Sequence, residues 1–227
     1  MATWKTLLLV YRELDVGPRC GAKTWRFHHS LGDEEIVDAL SSFEGFPLLV
    51  QNLTSGAAII QASIVQIARR LTSLSAREAD EFWPSPNDTR PELDRLAPCS
   101  RFDSVFVFWA QHDLARGISV PGFAWGLGMA ASDWSNGATY AAVANAPSFA
   151  WKSEARGEVW LHEWLHGVCH HFARRGHVMP ERDADGGELH GYTRSAAHGW
   201  TDYYRDLMSG SVAENGKHLG IPPAAWT

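Results

Sequence analysis

The chain has 227 residues, 45% of them hydrophobic and 20% charged, with a formal net charge of −6. That is the make-up of an ordinary globular chain able to build one sizeable domain or two small lobes. The acidic balance excludes nucleic acid as the default partner, and no window holds the ~18 apolar residues needed to cross a membrane, so no membrane partner is expected either.

From the N-terminus, Trp4 to Val16 alternates in part and is rich in β-formers, which predicts a first strand. Its apolar run, Thr6 to Val10, is too short for a signal peptide. The compartment therefore stays open between the cytoplasm and the mature part of an exported protein. Gly17 to Gly32 reads as loop, and its pair His28-His29 lacks a chelating helical spacing. Asp33 can cap a helix from Glu34 to Leu40, which Pro47 is expected to interrupt. Ser55-Gly56 is a turn signal, and Ala58 to Ala68 reads as a strand, with helix as the alternative. Ser75 to Pro98 carries four prolines without a period and reads as the longest loop. Val105 to Phe108 is wholly apolar, the mark of a strand buried on both faces. Gly122 to Ala131 is Gly-rich, Asn136-Gly137 is a turn, and Thr139 to Ala144 is a short strand. Of the three cysteines, Cys169 reads as a small buried residue, while Cys20 and Cys99 fall in loop-like stretches and could pair. Eleven Trp point to a core with large aromatic anchors or to an aromatic cleft.

The chemistry concentrates in Gly157 to Arg175. Val159, Leu161, Leu165, Val168 and Phe172 recur at helical spacing, with Glu158 in the first turn and Gly176 as the stop. Inside this helix lies His162-Glu163-Trp164-Leu165-His166. Residues four apart share a helix face, so His162 and His166 can grip one zinc ion. Glu163 is one residue further round, beside the metal, where a carboxylate can act as a base towards water. His170 cannot join His162, because eight residues of helix span about 12 Å. After Gly176 comes a loop to Gly187, then a helix over Asp202 to Met208.

The His162-Glu163-x-x-His166 helix resembles that of the zincin metallopeptidases. The resemblance implies an α+β fold: a mixed twisted sheet packed on a backing helix and an active-site helix, with a small, mostly helical or irregular C-terminal lobe. Residues 1–227 would then form one catalytic domain, with an upper lobe to about residue 176 and a lower lobe from 177. It implies zinc as cofactor, a peptide or protein substrate, and an edge strand before the motif helix that pairs with the extended substrate, here Thr139 to Ala144. Cys169 and Phe172 depart from the metzincin extension. A third ligand from downstream must return over roughly 13 Å of helix. Asp183, Asp185, Glu188 and His190 can reach and His177 cannot. Asp185 and His190 lead, with Glu188 behind. The implied reaction is peptide hydrolysis by zinc-bound water, with Glu163 as general base and Tyr192 as the first choice of oxyanion donor. Tyr203, Tyr204 and His198 are the alternatives, and Met208 is placed like the methionine that lies under the metal in some zincins. Two other readings stand beside this one: a binding or toxin-like module with structural or absent zinc, and a zinc hydrolase of a non-peptide bond.

Overall fold

Strands with no polar face need cover on both sides, and three such strands make the centre of the molecule. The structure, a computed structural model, describes residues 2–226 apart from 18, 21–22, 25, 79–80, 123–124 and 152–154. The sheet strands are β1 (Ala2–Tyr11), β2 (Ala58–Ile67), β3 (Ser104–Trp109), β4 (Gly126–Met129) and β5 (Thr139–Ala144), and the helices are α1 (Asp33–Leu53), α2 (Arg90–Leu96), α3 (Ser148–Trp151), α4 (Glu158–Ala173) and α5 (Thr201–Ser209). The fold is mixed α+β. Its five-stranded sheet runs β4-β5-β3-β1-β2. All neighbours are parallel except β4, which is antiparallel to β5.

Every residue of β3 and β5 is buried, as is β1 from Thr6 to Tyr11. Alternation sorts their side chains. Phe106 and Phe108 meet Trp160 of α4, and Phe106 also meets Phe43 and Phe46 of α1. On the opposite face, Tyr11 donates to Glu92 of α2 and the Tyr140 hydroxyl donates to the Pro84 carbonyl. The segment Ser75–Pro98 is therefore a structured cover rather than a loop. It holds the hairpin Ser75–Glu78/Glu81–Trp83 and all of α2.

Four other expectations are corrected. Helix α1 runs unbroken through Pro47, because Phe43, Phe46 and Val50 form one buried stripe across it. Its N-cap is Gly32, whose N–H donates to Glu35, while Asp33 pairs with Arg12. Thr139–Ala144 is an interior strand, and the edge is Gly126–Met129, which reads as a Gly-rich stretch rather than a strand in the sequence. The Gly17–Gly32 stretch is also not all loop, since Phe27–Ser30 pairs with Glu13–Val16.

Residues after α4 form α5, the hairpin Val212–Glu214/Lys217–Leu219 and a 3-10 turn, Pro223–Trp226. Trp226 stacks on Trp164 and fixes this region to α4. Cys99 is a free, exposed thiol, and the Cys20 side chain lies outside the described residues. Among the described residues no helix is long and apolar enough to cross a membrane.

Candidate metal centre

Helix α4 is set in place from its buried side. Trp160, Leu161, Trp164, Leu165, Val168 and Phe172 are all at most 2% exposed. Gly157, at φ 93°, lets its start dock on α1, where a Cβ would lie 2.4 Å from the Phe46 nitrogen. The remaining face carries His162 and His166, whose rings meet edge to face at 4.9 Å.

Each imidazole is held through Nδ1. That of His162 lies 2.8 Å from the Tyr204 hydroxyl, and that of His166 lies 2.7 Å from the Asp183 carboxylate. Such partners fix the tautomer and ring angle of a metal-binding histidine. Both Nε2 atoms then face Asp185, at 3.4 Å for His162 and 3.9 Å for His166. The three donor atoms lie within 4.8 Å of one another. Two ligands on a tetrahedral zinc, each at about 2.1 Å, stand about 3.4 Å apart. The arrangement can hold such an ion with little adjustment, and two imidazoles with one carboxylate suit zinc chemically.

Glu163 is 4% exposed, wedged between α4 and β4. Burial pushes its carboxyl up to about 7, opposed by His166 and by a hydrogen bond from the Gly128 backbone. Burial, then the neighbouring His166, pushes His162 down to about 4, so this imidazole is neutral at pH 7. Burial also acts against the charged forms of His166 and Asp183, but their hydrogen bond outweighs it, raising the histidine and lowering the aspartate.

Strand β4 is glycine-rich because α4 lies against it. A Cβ at Gly126 would sit 2.9 Å from the Glu163 carboxyl carbon, and one at Gly128 only 2.2 Å from the Glu163 carbonyl oxygen. On the other side, the buried Glu158 carboxylate accepts the Trp200 N–H at 2.6 Å and a bond from Arg194 at 3.3 Å. This ties the start of α4 to the start of α5. Gly199, at φ 57°, leaves that carboxylate its space. A cavity of about 450 Å³ lies here beside His162 and Asp185, and one of about 500 Å³ opens along Gly126–Gly128 over Glu163.

Of the downstream residues that can reach, the structure brings Asp185 to the pair and does not bring His190. The His190 ring stacks on Tyr203, and its Nε2 lies 3.2 Å from the Glu181 carbonyl and 3.5 Å from Glu214. Glu188 is exposed and outside the cluster, as is His170. The Tyr192 hydroxyl donates to Asp206 at 2.5 Å instead of facing the cleft. Tyr203 donates to the Asp183 carbonyl and His198 is exposed. Met208 is buried and lines a separate cavity with Leu53 and Thr54. His28 is exposed, and His29 faces Glu35 and Asp113 well away from the cluster. Two residues gain roles that the spacing alone does not assign: Asp183 orients His166 and Tyr204 orients His162.

No protein-family model and no curated protein sequence matches the chain. The chemistry therefore rests on the geometry: three metal donors, a buried carboxylate beside them, and an open cleft under a sheet edge.

Proposed function

We propose that this protein is a zinc-dependent metalloendopeptidase with a zincin-like fold. The observation that carries the reading is the convergence of His162 Nε2, His166 Nε2 and the Asp185 carboxylate, with Glu163 buried next to them. The fold supports it. The sheet ends in an antiparallel edge strand, β4, along the cleft and against the motif helix. An extended peptide can add to such an edge through main-chain hydrogen bonds.

Zinc, when bound, lowers the pKa of a coordinated water to about 7 and polarises the scissile carbonyl. His162, His166 and Asp185 would hold it, and Asp183 and Tyr204 keep the two imidazoles aimed. Glu163 takes the proton of the attacking water and delivers it to the leaving amine. Among the described residues the cluster has three protein ligands, not four. A fourth position left for water or substrate favours a catalytic over a structural ion, and Glu163 has no use in a purely structural site.

The test is digestion of an unfolded protein by the zinc-loaded chain, wild type beside Glu163→Gln. Cleavage by the wild type alone, with equal zinc in both, is the expected result. Equal cleavage by the two, or none by a wild type carrying one zinc, would overturn the proposal.

A further inference from the structure

The sheet has two edges, β4 beside the metal cluster and β2 at the far end beyond β1. A long edge strand is normally guarded by a charge, a proline or a bulge, because its free main-chain groups invite another strand. Strand β2 is ten residues long, carries no charged residue, no proline and no glycine, and pairs with β1 without a register shift. Its middle, Gln61 to Ile64, is exposed. Successive side chains point to opposite faces, so the strand stands clear of the layers on both. The Ala57 carbonyl accepts the Ala2 N–H at 2.9 Å. Main-chain groups alternate in direction along the strand, so its odd-numbered residues bond to β1, and Ala58, Ile60, Ala62, Ile64 and Gln66 turn theirs outward. Ala58 gives its N–H to the Thr54 hydroxyl at 3.2 Å. Among the described residues no group bonds the main chain of the other four on that side.

We propose that β2 is a dimerisation edge, pairing antiparallel with β2 of a second copy about a two-fold axis at Ala62. In that register the strand is complementary to itself. Ile60 faces Ile64 of the second copy on one side of the sheet, Ile59 faces Val65 on the other, and Gln61 faces Ser63, polar against polar. Such cross-strand neighbours sit about 4.5–5.5 Å apart and are what stabilises a sheet. Moving the axis to Ser63 would set Ile60 against Gln66 and Gln61 against Val65. A patch that matches itself under a two-fold rotation closes as a pair instead of growing into a filament. That self-match selects a second copy over a foreign strand as the occupant. Ile60, Ala62 and Ile64 form the hydrogen-bonded pairs across the seam, and each pair exchanges two bonds, about six in all. At about one bond per 100–200 Å², that goes with roughly 1,000 Å² of interface, the size at which specific association begins. The seam lies at the opposite edge from β4, so the metal cluster and its cleft stay open in both copies. The inference is independent of the peptidase reading.

The experiment is light scattering during gel filtration of the purified protein, over a dilution series in the micromolar range. The expected mass is twice the 25.2 kDa of one chain, falling towards one chain on dilution. Ala62→Lys, at an exposed position, sets two ammonium groups against each other across the axis. It should weaken the pair roughly tenfold or more, since like charges directly opposed are destabilising, with the circular dichroism spectrum as control for folding. Ala62→Cys reads the register. Its two Cα atoms would stand about 5.5 Å apart, within disulfide range. Mild oxidation should join position 62 to itself, identified by mass spectrometry of the digest because Cys99 is also an exposed thiol. A wild type of one-chain mass throughout, a dimer left intact by a folded Ala62→Lys, or oligomers that grow past the pair with concentration would overturn the proposal. A dimer without the cross-link at position 62 would overturn the axis, and if Ala62→Lys fails to fold the cross-link alone decides.

Discussion

The two motif histidines differ in how they are held, and the difference is testable residue by residue. His166 leans on a carboxylate, Asp183, and His162 on a neutral hydroxyl, Tyr204. Removing such an outer partner typically weakens metal binding 10–100-fold. Asp183→Asn is expected to fall in that range in a chelator competition and Tyr204→Phe near its lower end, because a charged acceptor supports the imidazole more strongly. Glu163→Gln should keep the metal and lower kcat by about 10²–10⁴, the usual worth of a positioned general base. The motif itself was legible because its spacing is local: four residues of any helix put His162 over His166. Asp185 and His190 were not separable in the sequence. Both return within reach, and only the stacking of His190 on Tyr203 and its bond to the Glu181 carbonyl turn it elsewhere.

At the scale of elements, the close approach of β4 to α4 is what buries Glu163. Gly128→Ala places a Cβ 2.2 Å from the Glu163 carbonyl oxygen, a main-chain atom with little freedom to give way. Overpacking of this kind costs about 1–3 kcal/mol, to be read as a lower denaturation midpoint. The same variant should bind zinc more weakly, since the shift displaces the turn that carries His166. Strand β4 was hidden in the sequence because glycine has low β-propensity and no side chain to alternate. Its strand character comes from pairing with β5 and from room for the helix, neither of which is local. Helix α1 was hidden for the converse reason. Pro47 signals a break, and the buried stripe of Phe43, Phe46 and Val50 overrides it. The apolar runs of β1, β3 and β5 were legible because burial on both faces leaves no other pattern.

For the whole molecule, stability depends on a polar lock on the sheet face away from the metal. Glu92, 4% exposed, accepts from Tyr11 at 2.6 Å and from Arg69 at 2.7 Å. Burial acts to raise its carboxyl, but the bonds from Arg69 and Tyr11 outweigh it and hold it below the ordinary value of 4.5. A carboxylate lowered on folding stabilises the native state above its unfolded pKa, and that contribution is lost as pH falls through the folded one. The melting temperature should therefore drop below about pH 4.5, and less so in Glu92→Gln, whose baseline stability is lower at pH 7. The proposed zinc site predicts a separate contribution. At a free concentration 100 times Kd, a ligand that binds only the folded chain stabilises it by about 2.7 kcal/mol, so a chelator should lower the melting temperature of the wild type and leave that of His166→Ala unmoved.

The most direct measurement is the zinc content of purified protein after incubation with the ion and removal of the excess, for the wild type, His166→Ala and Asp185→Ala. About one zinc per chain in the wild type, lost in His166→Ala and much reduced in Asp185→Ala, is the expected result. A wild type without zinc, or an ion retained in full by His166→Ala, would contradict the metal centre and the peptidase built on it.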